Sequence, residues 1–259
     1  MLAITLRVVS RLAGKVAIVT GGAQGIGRGI SEVYAEAGAD VAILDRDVER
    51  GTATASELGL LFVEADVSDE QSVERALDRV VAEFGSLHVL VNNAAIFVLK
   101  GIEASVEDWQ RVLAVNVVGP ALMAKHAVPH IRRAGGGAIV NVGSVSSFIA
   151  QKGMLTYNAS KAAIAEMTRC MALDLAEDNI RVNGVCPGAV WSSQVQRLAA
   201  EQGLTREQAA LQPNLGADQI MKRIADPREI GYAALFLASD EASFMTGANV
   251  MVDAGWTAV

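Results

Sequence analysis

The sequence predicts an α/β protein built on a seven-stranded parallel sheet, doubly wound, with helices on both faces. Three observations predict it. Short runs of β-branched and apolar residues alternate with longer segments of helical periodicity from residue 15 almost to the end of the 259-residue chain. The strand runs are apolar throughout instead of alternating, as strands covered on both faces must be. Apolar residues make up 51% of the chain and charged residues 20%, which supplies a large core and excludes a disordered chain.

In order, the strands are "KVAIVT" (15–20), "DVAILD" (40–45), "LLFVEA" (60–65), "LHVLVN" (87–92), "GAIVNV" (137–142), "IRVNGV" (180–185) and "ANVMVD" (248–253). After the first strand, "RGISEVYAEAGA" reads as a helix. After the third, Val73, Ala76, Leu77, Val80, Val81 and Phe84 recur on one helical face, and Gly85 supplies the stop. "AGGGA" (134–138) is a loop entering the fifth strand. No repeat, linker or low-complexity segment intervenes, so residues 1–259 are expected to form one domain. Residues 1–11 are broken by Arg7 and Arg11 and lack a cleavage site, and are expected to be a flexible leader. Segment 189–224 breaks the rhythm. It is more polar, carries Pro213 and Gly216, and is expected to be an insertion covering a substrate site.

Several function classes drop out. Net charge is −7 with no run of Lys or Arg, which excludes a nucleic-acid surface, since phosphate neutralisation needs a basic patch. No window reaches the ~18 uninterrupted apolar residues of a membrane span. Cys170 and Cys186 cannot build a disulfide framework, and a reduced, cytoplasmic protein is expected. Of His88, His126 and His130, the last two stand one helical turn apart. No carboxylate or cysteine completes a zinc-like set, so no metal is expected.

The first strand runs into "TGGAQGIG" (20–27), with glycines at 21, 25 and 27. Glycines here permit a tight turn and let backbone N–H groups approach a pyrophosphate at the start of the following helix. The second strand then ends in Asp45, where a carboxylate meets a ribose 2′-hydroxyl. That charge repels a 2′-phosphate, so NAD is favoured over NADP. Arg46 is the neighbouring group able to hold such a phosphate, and Gln24, inside the turn, adds no positive charge. Further on, "TYNASKAA" (156–163) places Tyr157 and Lys161 one helical turn apart. By spacing alone this is either a catalytic pair or two ordinary residues sharing a helix face.

The chain resembles the short-chain dehydrogenase/reductase family, in its single-domain branch, from Leu12 to Gly255. The motifs that carry the resemblance are "TGGAQGIG", "ADV" (65–67), "NNAA" (92–95), "AVN" (114–116), "GS" (143–144), "YNASK" (157–161), "RVNGVCPG" (181–188) and "TGANVMVDAG" (246–255). Ala95 and Ala254 stand where the family more often has glycine, and Ser192 where it often has threonine. The resemblance implies a Rossmann-type fold and a catalytic tetrad of Asn116, Ser144, Tyr157 and Lys161. Tyr157 would be the general acid–base, its pKa lowered by the Lys161 ammonium and the oxidised nicotinamide. Lys161 would also bind the nicotinamide ribose, and Ser144 would hold the reacting oxygen. Asn116 would sit at a helix irregularity and hold a water linking Lys161 to solvent.

The same resemblance assigns Gly21, Gln24, Gly25, Ile26 and Gly27 to the pyrophosphate, with Asp45 and Arg46 at the ribose. Asp66 and Val67 would contact adenine, and Asn93 and Ala94 would close the cleft. Asn92 would tie neighbouring strands together. Pro187, Gly188, Val190 and Ser192 would border the nicotinamide. Phe97, Ser146, Gln151, Met154, Trp191 and Gln194 would join Ser144 and Tyr157 in lining the substrate pocket. With no Arg or Lys in that set, a neutral secondary alcohol is expected: a polyol, sugar or cyclic alcohol. A 3-ketoacyl-thioester reductase is the alternative, disfavoured by Asp45 because that activity usually prefers NADPH. A non-catalytic dinucleotide-sensing protein is disfavoured by the complete tetrad. A homotetramer is expected, since the helix after Tyr157 is apolar over more than one face, with "MVDAGWTAV" near another subunit.

Overall fold

Neighbouring residues of each strand enter opposite cores, which is why the strands read as unbroken apolar runs. In β1 (Val16–Thr20), Val16 and Ile18 face one layer while Ala17 and Val19 face the other. In β2 (Asp40–Asp45), Ala42 and Leu44 oppose Val41 and Ile43 in the same way. The computed structural model describes residues 10–258, so residues 1–9 of the expected leader lie outside the described residues. The described end of that leader is anchored: the Arg11 guanidinium donates to the Glu241 carboxylate, and Leu12 is buried.

The remaining strands are β3 (Leu61–Glu64), β4 (Val89–Asn92), β5 (Gly137–Val142), β6 (Ile180–Pro187) and β7 (Asn249–Val252). All pair in parallel in the order β3-β2-β1-β4-β5-β6-β7, and each matches its expected run to within two residues at either end. The helices are α1 (Gly25–Glu36), α2 (Val48–Leu58), α3 (Glu70–Phe84), α4 (Val106–Leu113), α5 (Gly119–Arg133), α6 (Leu155–Leu175), α7 (Ser193–Glu201), α8 (Arg206–Ala209) and α9 (Pro227–Ala238). Helices α3, α5 and α6 pack on one face of the sheet, and α1, α2 and α9 on the other. Their ends follow local chemistry. Helix α3 starts where the Asp69 side chain accepts from the Gln71 N–H and stops at Gly85, whose φ of 78° a residue with a Cβ adopts only at a cost.

A π-helical turn (Ala114–Val118) joins α4 to α5, giving one helical run over 106–133. By length and mean hydropathy this run would suffice to cross a membrane. In this structure its apolar stripe, with Met123, Ala127 and Ile131 fully buried, packs against the sheet. Segment 189–224 holds α7 and α8 around a small core of its own, in which Ala199, Ala209 and Ile224 are buried beside Trp191, Leu215 and Trp256.

Candidate active site

The strand order reverses between β1 and β4, and outside the carboxyl ends of these strands an open sheet leaves a crevice. A cleft of about 360 Å³ opens there. It runs from the β1–α1 turn and Asp45 to Ser144, Tyr157 and the segment after β6.

At the first end, the glycine turn has the geometry that glycines allow. Gly21 and Gly25 lie at φ of 64° and 57°. Gly27 is required for a different reason: a Cβ there would stand 2.1 Å from the Gly21 carbonyl oxygen. That oxygen is backbone and cannot yield, so Gly27→Ala is expected to destabilise the fold by at least about 3 kcal/mol, read from the urea midpoint. Where α2, α3 and α9 start on aspartate caps, α1 starts on Gln24, whose side chain makes no cap, and its first turn holds no acid. Gly25 and Ile26, at this uncapped N-terminus, line the cleft. The free N–H groups and the helix dipole therefore fit a bound pyrophosphate. Gln24 instead accepts from Arg50 through its side-chain oxygen, at 3.1 Å.

Asp45 is oriented by the backbone. One carboxylate oxygen accepts from the Ala23 N–H at 3.1 Å and the other from Asp47 at 3.0 Å, leaving lone pairs for a ribose hydroxyl. Exposed Arg46 lines the same end with Asp66 and Val67. Hydrogen bonding from Ser68, aided by the Arg46 charge, holds the Asp66 carboxyl below its ordinary range against the opposing effect of burial. Asn93 staples the crevice: its amide donates to the carbonyls of Thr20 (2.8 Å) and Gly21 (3.1 Å), joining the ends of β1 and β4. Asn92 donates to Asn141 at 2.9 Å, and Asn141 to Thr168 at 3.0 Å, so a buried polar chain links β4, β5 and α6. The strand-tying role expected for Asn92 thus falls to both asparagines. Ala94, Pro187, Gly188, Val190 and Ser192 line the cleft beyond them.

At the second end, Ser144 follows β5 and its hydroxyl accepts from the Ser146 N–H at 3.1 Å. Ser146 donates in turn to the side-chain carbonyl of Gln151 at 2.7 Å. Tyr157 lies in the first turn of α6, buried, with Phe97 stacked on it at 4.8 Å between centroids and 18° between planes. The Lys161 Nζ stands 5.9 Å from the Tyr157 ring centroid and donates to the Val142 carbonyl at 2.8 Å. An ammonium has three donors, so two remain for the cleft that Lys161 lines.

Burial pushes the Tyr157 phenol up to about 12, with Ser144 drawing it back, and pushes the Lys161 ammonium down to about 8. The expected lowering of Tyr157 by Lys161 is not met by the protein alone. The ammonium is directed at a backbone carbonyl, and desolvation of the phenol outweighs the Ser144 hydrogen bond.

Asn116 does sit at a helix irregularity, the π turn. Its side chain is committed elsewhere: the oxygen accepts from the Ile96 N–H (2.8 Å), and the amide donates to the Ile96 carbonyl (3.0 Å) and Ser160 (3.1 Å). It clamps the loop after β4, which carries Phe97, against α6. Gly27 and Asn116 support the cleft without lining it.

Trp191 corrects the expected pocket. It does not line the cleft but packs into the small core of segment 189–224, with the Arg206 guanidinium 5.7 Å from its ring. Its backbone donates to the Ala225 carbonyl at 2.9 Å, which fixes the start of the segment and turns the side chain inward. The indole that lines the cleft is Trp256, together with Leu198, Asn214 and Leu215. No local pattern marks Trp256. It arrives there because β7 pairs with β6, Pro187 opposite Val252, so both carboxyl ends meet at the crevice. Within its own chain the C-terminal turn packs on Met221 and Ile220. Among the described residues no three His, Cys, Asp or Glu side chains cluster in metal-ligating range. His126 pairs with Glu70 at 3.0 Å, and His88 accepts from the Val16 N–H at 3.0 Å.

Comparison with known proteins agrees with this arrangement. A family model described as Enoyl-(Acyl carrier protein) reductase, within the short-chain dehydrogenase/reductases, matches residues 21–257. The cis-4-hydroxycyclohexanecarboxylate dehydrogenase of Sinomonas cyclohexanicum is 44% identical, over 95% of this chain and 98% of that protein. The L-fucose dehydrogenase of Mus musculus is 36% identical, over 95% of this chain and 90% of its own length. The ligand-free structure of Thermoplasma acidophilum aldohexose dehydrogenase superposes with a TM-score of 0.88 at 35% identity, covering 97% of both chains. With the glycine turn, the sheet order and these relatives in agreement, the chain belongs to the short-chain dehydrogenase/reductase family and is an oxidoreductase.

Proposed function

We propose that this protein is an NAD(H)-dependent dehydrogenase that interconverts a neutral, ring-borne secondary alcohol and its ketone. The observation that carries the reading is one cleft with Asp45 at one end and Ser144, Tyr157 and Lys161 at the other. NAD⁺ held between Asp45 and Lys161 would supply the hydride acceptor and a positive charge near the phenol. Tyr157 takes the hydroxyl proton in oxidation and returns it in reduction. Ser144 holds the reacting oxygen beside the phenol. Lys161 grips the ribose with the donors that Val142 leaves free. Asp45 accepts from the adenosine ribose and repels a 2′-phosphate.

The substrate class follows from charge. The charged residues lining the cleft are Asp45, Arg46, Asp66 and Lys161, and the first three belong to the adenosine end. Apart from Lys161, the described residues at the substrate end include no cation to meet a carboxylate. The named relatives act, by their names, on a hydroxycyclohexanecarboxylate and on sugars, all of them ring-borne alcohols, and the cleft of this chain offers the carboxylate of the first no cation but Lys161.

The test is reduction of NAD and of NADP across ring alcohols. Wild type is expected to prefer NAD and to turn over 1,4-cyclohexanediol or a pyranose faster than 4-hydroxycyclohexanecarboxylate. Asp45→Ala removes the repelling charge while Arg46 remains, and is expected to raise the NADP-to-NAD ratio of kcat/KM by about tenfold or more. An NADP preference in wild type, or a ratio unmoved by Asp45→Ala, would sink the cofactor assignment.

A further inference from the structure

The C-terminal turn is built more firmly than a chain end requires. Asp253, buried at the end of β7, accepts from the Gly255 N–H at 3.0 Å, from the Thr257 N–H at 2.8 Å and from the Thr257 hydroxyl at 2.7 Å. Between these bonds Ala254 and Gly255 take consecutive left-handed conformations, at φ of 51° and 84°. Such backbone is costly for alanine and persists only where the surroundings hold it. They do: the Met221 N–H donates to the Ala254 carbonyl at 3.3 Å. Ile220 lies so close to Gly255 that a Cβ there would stand 2.6 Å from it. The turn is thus latched to segment 189–224.

What the latch positions is Trp256. Its indole packs against the small core of that segment, yet is half-buried and lines the cleft. Trp191, in the same core, is taken up by Arg206 and does not reach the cleft. Neutral amides of Gln151, Gln194 and Asn214 line the cleft with Trp256. A rigid aromatic face among amides suits a ring that carries C–H bonds on its faces and hydroxyls on its rim.

We propose that Trp256 determines specificity for ring substrates, its indole forming the platform on which a cyclic alcohol or pyranose stacks while the amides meet its hydroxyls. This rests on the dehydrogenase reading above but concerns binding of the ring, not the proton or the hydride. The platform sets KM, not kcat, and favours a ring over an open chain bearing the same hydroxyls.

The test pairs 1,4-cyclohexanediol with 2,5-hexanediol, which share six carbons and two secondary hydroxyls in 1,4 relation and differ in the ring. Trp256→Ala is expected to raise KM for the ring diol about tenfold, the loss of roughly one aromatic contact, with kcat within about twofold. Trp256→Phe should retain most of the affinity. KM for the open-chain diol and the NADH affinity, read by fluorescence, should hold in both variants. Equal losses for the two diols, or a loss in kcat alone, would overturn the platform. Calorimetric titration of the NADH-loaded protein with the ring diol reads binding without turnover. Binding that weakens in Trp256→Ala supports the platform even if wild type oxidises no alcohol, in which case the dehydrogenase reading fails alone. No binding of the ring diol to wild type overturns the platform.

Discussion

Replacing Tyr157 with phenylalanine is expected to lower kcat/KM for alcohol oxidation about a thousandfold while NADH binds as in wild type. Phenylalanine keeps the ring that Phe97 stacks on, so the packing of α6 and the loop after β4 survives. What disappears is the oxygen that would carry the proton. In the protein alone that oxygen is held protonated, at a pKa of about 12, because burial disfavours the phenolate more than Ser144 relieves it. Oxidation needs the phenolate, so its rate should rise with pH below the phenol's pKa, and reduction should fall over the same range. Steady-state rates in both directions, beside NADH titrations, check this. Wild-type turnover in Tyr157→Phe would refute the acid–base role.

Lys161→Met is expected to produce a protein that is more stable at pH 7 and at least about a hundredfold less active. The stability sign follows from the ammonium's depressed pKa, about 8 in the folded protein against 10.5 unperturbed. Below pH 8 the side chain is charged in both states, and the folded state bears the full penalty of a buried charge. As pH rises from 8 toward 10.5 the folded protein releases its proton first, so the penalty fades, and above 10.5 it is gone. Methionine removes the penalty but leaves the Val142 carbonyl unpaired, for a net gain on the order of 1–3 kcal/mol at pH 7 that shrinks by pH 10. Urea unfolding at the two pH values measures it. An equal loss of stability at both would show that burial of the charge is not what Lys161 costs the fold. Loss of NADH affinity in the same variant would locate the two remaining donors at the cofactor.

The candidate positions that the cleft brings together were legible because they are local. Glycines at 21, 25 and 27, the acid ending β2, and Tyr157 one helical turn before Lys161 depend on a few neighbouring residues and on the periods of strand and helix. Strand boundaries were legible for the same reason, since a strand buried on both faces announces itself residue by residue. Asn116 was legible as a position and not as a set of partners: its bonds to Ile96 and Ser160 span 20 and 44 residues. Likewise, nothing local gives the depressed pKa of Lys161. It depends on how completely α6 covers the end of β5.

By itself, then, the sequence determined the seven parallel strands, the glycine turn and the Tyr157–Lys161 spacing, each written in short-range pattern. Tertiary structure alone decided the strand order, and with it the crevice between β1 and β4. It also decided the exchange of Trp191 for Trp256 at the cleft. The two indoles are chemically alike, and local pattern gives no reason to choose between them. One is turned into a small core by its backbone bond to Ala225. The other is carried to the cleft by the pairing of β7 with β6 and held there by Asp253. Pairing of distant strands sets which chain ends meet, and that is a property of the whole sheet.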